Sequence, residues 1–162
     1  MRKVGRFSAI AVSATLIGSG VAVVTTVAAT PAALAVGCTG VSCDNKGPSA
    51  NGCFAVDEVL ASGSFYGLQL RYSPACHAFW AYGGDAPAEW NVTLELDWQK
   101  KNAAGDWVTQ RTLEENFAAQ GPADWTNMLG ARTKDSRFRA LVAEPNSTTI
   151  DTATTWVVGG DH

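Results

Sequence analysis

The chain has 162 residues, 46% of them hydrophobic and 17% charged, with a formal net charge of −3. That length fits one ordinary domain able to bury a core. The acidic balance excludes the basic field that nucleic acid or an anionic membrane surface would need.

The first segment reads "MRKVGRFSAIAVSATLIGSGVAVVTTVAATPAALAVGC". Arg2, Lys3 and Arg6 give a positive start, and no charged residue follows until Asp44. Small apolar residues run on to "ALA" at Ala33–Ala35, the pattern of a secretory signal peptide with a cleavage site. The expected organisation is a signal peptide over 1–35 and one secreted domain over 36–162. A retained membrane anchor fits less well, because Ser13, Thr15, Gly18, Ser19 and Gly20 dilute the apolar run. Taking Arg2, Lys3 and Arg6 from the 12 basic residues leaves 9 against 15 acidic ones, so residues 36–162 carry a net charge of −6.

Four cysteines follow: Cys38, Cys43, Cys53 and Cys76. An even count in an exported domain predicts two disulfides. Three connectivities exist, and spacing does not select one. Because Cys38 with Cys43 would close only a tiny loop, the preferred pairing is Cys38–Cys53 with Cys43–Cys76. The spacing lacks the paired C-x-x-C knuckles of a zinc site, so no metal and no cofactor is expected. Residues 36–53 are rich in Gly, Ser, Asn and Pro and read as a cysteine-rich loop. "DNKG" within it lacks the later acidic positions of a calcium loop.

Phe54 to Ser62 reads as either a short helix or a strand. Beyond it the period-2 signal begins. Tyr66, Leu68, Leu70 and Tyr72 alternate with smaller or polar residues. After the Ser73–Pro74 turn, Cys76, Ala78, Trp80 and Tyr82 alternate with His77, Phe79 and Ala81. "EWNVTLELDW" sets Trp90, Val92, Leu94, Leu96 and Trp98 on one face and Asn91, Thr93, Glu95 and Asp97 on the other. "WVTQRTLEE" follows a turn, as in a hairpin with a longer loop. Arg137 to Glu144 and Thr148 to Val158 read as two further strands. The turn-rich "GPADWTNMLGARTKDS" that precedes them, after "WVTQRTLEE", has room for one short helical turn. The fold class is therefore all-β: a small disulfide-stapled sandwich or barrel of about six or seven strands.

"RYSPACHAFW" places a cysteine beside a histidine, which raises the question of a nucleophile–base pair. Neighbours in a strand point to opposite faces, whereas a catalytic cysteine needs its base on its own side. Cys76 is thus read as half of a disulfide and His77 as a surface or packing residue. No H-E-x-x-H helix or G-x-S-x-G elbow occurs. Glu95 and Asp97 share a strand face, but a solvated polar face accounts for them, as it does for Glu114 and Glu115. No catalytic residue is assigned, and a non-enzymatic role is expected.

"GCTGVSCDNKGPSANGC" followed by "LQLRYSPACHAFWA" resembles a secreted family of Gram-positive bacteria catalogued as domain of unknown function 2690. The matching positions include Cys38, Gly40, Cys43, Pro48, Gly52, Cys53, Arg71, Tyr72, Ser73, Pro74, Cys76, Ala78, Trp80 and Ala81, with departures at Asn45 and Phe79. The resemblance spans about Cys38 to Ala81. It implies a small secreted, disulfide-bonded domain and carries no activity with it.

The expected function is an extracellular or cell-envelope binding module, with a cell-wall glycan or an extracellular protein as partner. A protein inhibitor, or a glycan-acting hydrolase, is the alternative. Exposed aromatic rings on a sheet can stack on sugars. Of the six tryptophans, Trp107 and Trp125, each following an aspartate near a turn, are the candidate ligand-contacting rings expected to be exposed.

Overall fold

The computed structural model describes residues 35–84, 91–118, 123–144 and 149–160. The expected signal peptide up to residue 34, Trp90 and the terminal His162 lie outside the described residues. Ten strands form among the described residues: β1 (Glu58–Ser62), β2 (Gln69–Ser73), β3 (Ala78–Gly83), β4 (Asn91–Lys101), β5 (Trp107–Ala118), β6 (Asp124–Trp125), β7 (Leu129–Gly130), β8 (Ser136–Ala143), β9 (Ile150–Ala153) and β10 (Val157–Val158). They make two five-stranded antiparallel sheets. One runs β1-β2-β3-β6, with β7 also beside β3. The other runs β10-β8-β4-β5, with β9 also beside β8. The fold is an all-β sandwich stapled by two disulfides.

The alternation in the sequence decides what fills the space between the sheets. Leu68, Leu70, Tyr72, Phe79 and Ala81 from one sheet meet Val92, Leu94, Leu96, Phe138, Ala140 and Val142 from the other. Phe79 stacks on Phe138 with ring centroids 4.2 Å apart. Strand β3 is buried on both faces. Its Ala78 and Trp80 turn away from the intersheet core into a second cluster with all four cysteines and Met128. The cysteine-rich segment is the lid of that cluster, so the outer face of this sheet is covered rather than wet.

The preferred disulfide pairing is corrected. The bonds are Cys38–Cys43 and Cys53–Cys76. A 3₁₀ turn over Gly40–Cys43 winds tightly enough to bring Cα atoms five residues apart to 5.1 Å, so the small loop is no obstacle. A second 3₁₀ turn, Cys53–Val56, sets Cys53 with its Cα 5.7 Å from that of Cys76. Cys76 and His77 belong to the turn joining β2 and β3 and not to a strand. The disulfide reading of Cys76 stands, but strand alternation is not its reason.

Other boundaries also move. Phe54–Ser62 is a 3₁₀ turn followed by a strand. Thr148–Val158 divides into β9 and β10, with Thr154 bonding back to Ala140 in between. The region expected to hold a helical turn instead carries β6 and β7 among its described residues, two short bridges templated by the free edge of β3.

Candidate functional site: a groove beside Trp98

Strand β4 ends its core-facing row with a lysine. Leu94, Leu96, Trp98 and Lys100 follow one another at period 2 on the same face. The first two are buried and Trp98 packs against the core at the mouth. Lys100 is exposed. There a groove of about 910 Å³ opens. Thr39 with Gly40 and Val41 of the first 3₁₀ turn forms one wall, His77 another, and Ala131–Lys134 with Ser136 a third.

These walls are fastened to one another. The Gly40 N–H donates to the Cys76 carbonyl at 2.8 Å, and the Ala131 N–H donates to the His77 carbonyl at 2.6 Å. The Asp44 carboxylate accepts the Gly130 N–H at 2.8 Å and pairs with the Arg132 guanidinium. Arg132 in turn lies 4.7 Å over the Trp98 ring. The Nε–H of Arg132 and the indole N–H of Trp98 are both buried donors without an acceptor among the described residues. His77 holds a left-handed backbone, φ 46°, and its Nδ1 lies 3.1 Å from the Tyr72 hydroxyl. Its side chain is exposed.

The two tryptophans expected to be exposed are half-buried instead. Trp107 lies on the outer face of the β8–β4–β5 sheet, with Lys101 Nζ 5.1 Å and the Arg137 guanidinium 4.4 Å from its ring centre. Arg137 is also 4.3 Å from Trp156, and Arg139 lies 4.5 Å over that second ring. This ladder of alternating rings and cations uses the aromatic faces internally. Trp125 packs edge-on against Phe54 at 4.8 Å and closes the cysteine cluster. Neither ring lines the groove. The tryptophan that does is Trp98, which the alternation assigned wholly to the core. The sequence signal for it was Lys100, a charge continuing an apolar row.

The outer face of the same sheet holds the carboxylates. Glu95 and Glu114 are direct cross-strand partners. Asp97 accepts from Arg139 Nη2 at 2.9 Å and from the Thr112 hydroxyl at 2.6 Å. Burial, then the facing Glu114 and Asp97, push the Glu95 carboxyl above its ordinary value, against a smaller opposing pull from Arg139. With Asp97 committed to a cation and a hydroxyl, the Glu95–Asp97 pair lacks two carboxyls free to share acid and nucleophile roles. The sulfurs of Cys38, Cys53 and Cys76 cluster within 4.8 Å. They are bonded as disulfides and present no thiolate to a metal.

No family model, curated protein or solved structure matches this chain.

Proposed function

We propose that the chain is exported and that residues 36–162 act outside the cell as a non-catalytic binding domain for a cell-envelope glycan, held in the groove beside Trp98. The groove carries the reading. It joins an aromatic side chain, hydroxyls and cations on a frame tied by hydrogen bonds and a disulfide, and preorganisation of that kind favours binding. Export is supported by the charge-poor leader ending in "ALA", and by four cysteines that are all oxidised. The likeness of Cys38–Ala81 to a secreted Gram-positive family agrees with it. Among the described residues no helix is long and apolar enough to cross a membrane.

Val41 stands on the groove wall with 63% of its surface exposed, so Val41→Trp fills the groove without disturbing the core. The test is co-sedimentation of the purified domain with insoluble envelope glycan. Wild type is expected in the pellet, and Val41→Trp is expected to reduce its retention about tenfold, the loss of one good contact. Equal retention of both proteins would remove the groove from the reading. Release of soluble sugar fragments would replace binding with hydrolysis.

A further inference from the structure

Residues 36–162 contain nine basic side chains, the 12 of the chain less Arg2, Lys3 and Arg6. Six of them have partners. Arg71, Arg132 and Arg139 are in ion pairs with Asp57, Asp44 and Asp97. Arg111 bonds the Asn45 side chain, Arg137 bonds Gln99, and Lys101 lies over Trp107. Lys46, Lys100 and Lys134 have no partner among the described residues, and two of these three, Lys100 and Lys134, line the same groove. Placing unengaged lysines together costs like-charge repulsion, which an anion between them would reverse.

The surroundings sharpen the point. The domain as a whole is acidic, so a polyanion is repelled everywhere except where cations concentrate. Asp44 is already neutralised by Arg132, a lining residue whose guanidinium covers Trp98. Asp135 is the remaining acid on the wall segment. It is exposed and follows Lys134 directly, while its carbonyl accepts from the Lys101 N–H. Among the described residues the groove cations without a partner are thus both lysines, compact point charges that pair with carboxylate and phosphate oxygens alike.

We infer that the groove beside Trp98 selects an acidic glycan, with its carboxylate or phosphate substituents seated between Lys100 and Lys134. This rests on the binding role proposed above and names the ligand class for it. The probes are dextran, carboxymethyl-dextran and dextran phosphate, one backbone in neutral, carboxylate and phosphate forms, titrated calorimetrically into the intact domain. Both charged forms are expected to bind at least about tenfold more tightly than neutral dextran, and the tighter of the two identifies the substituent. Lys100→Gln with Lys134→Gln should cost about tenfold, as the loss of two exposed charge contacts implies. Lys46→Gln, away from the groove, should change nothing. Raising the salt concentration should weaken wild type and leave the double variant nearly unaffected.

Neutral dextran binding as well as the charged forms, with Val41→Trp abolishing it, would overturn the acidic preference and keep the groove. Retention on envelope glycan without affinity for either charged dextran would also overturn it. Failure of both assays would remove the binding role itself.

Discussion

A methyl group on Gly130 would sit 2.1 Å from the Gly40 carbonyl oxygen and 2.5 Å from the Val41 nitrogen. Both obstacles are backbone, so neither can swing aside. The close approach exists because Asp44 draws the two segments together through the Gly130 N–H. Gly130→Ala is therefore expected to destabilise the fold by about 1–3 kcal/mol or more, the range for overpacking a tight contact. It should also move the Gly40 wall of the groove. Thermal melts together with ligand titration check both effects, and an unchanged melting temperature would mean the cysteine-rich segment is not seated as described. His77 belongs to the same corner. It is exposed, holds a left-handed φ and contacts buried Tyr72, within the reading of it as a surface or packing residue.

At the scale of elements, β4 explains what could be read in advance. Its alternation named Val92, Leu94 and Leu96 as core, and they are buried at 3%, 1% and 0% exposure. The same rule placed Leu70 and Tyr72 of β2 in the core, but in β3 it separated the two faces without showing that both are buried, Phe79 and Ala81 between the sheets and Ala78 and Trp80 with the cysteines. It could not find β6, β7 or β10, two-residue bridges whose pairing is decided by the partner strand. Nor could it find the groove. That site draws on Gly40, His77, Trp98, Lys134 and Gly160, brought together by register between distant elements with no local period of their own. The disulfide pairing was hidden for a related reason, since it depends on how tightly a 3₁₀ turn winds.

The pairing of β4 with β5 gives an element-level prediction. Like charges directly opposite on a sheet are destabilising, and Glu95 faces Glu114. The folded-state value of Glu95 is raised, so the native state holds its proton to higher pH than the unfolded chain does. Stability contributed by this group is full below the unfolded value and falls as pH rises through the raised one. Glu95→Gln should therefore raise the melting temperature at neutral pH and flatten the stability profile just above the usual carboxylate range. Melts across pH 4–8 (about the range carboxylates span when raised) read this directly. A lower melting temperature for the variant at neutral pH would show that Glu95 makes a favourable contact in its ionised form.

For the whole molecule, the decisive feature is that β3 serves two cores at once. Phe79 and Ala81 lie between the sheets, while Ala78 and Trp80 lie with the cysteines. Neither cluster can loosen without pulling on the strand that the other holds, so the domain should unfold in one transition. The two bridges should nevertheless differ in weight. Cys53–Cys76 spans 23 residues and Cys38–Cys43 spans 5. Loop-closure entropy makes the first worth about 3 kcal/mol and the second about 2 kcal/mol. The larger bridge also holds the turn whose Cys76 carbonyl receives the Gly40 N–H, and hence one wall of the groove. Cys53→Ala with Cys76→Ala should lower the melting temperature more than Cys38→Ala with Cys43→Ala, and should weaken ligand binding more. In both variants, near-ultraviolet circular dichroism, which reports Trp80 and its aromatic neighbours, should melt together with the far-ultraviolet signal of the sheets. Loss of the near-ultraviolet signal well before the far-ultraviolet one would mean that the cysteine cluster opens by itself, with β3 held by the intersheet core alone.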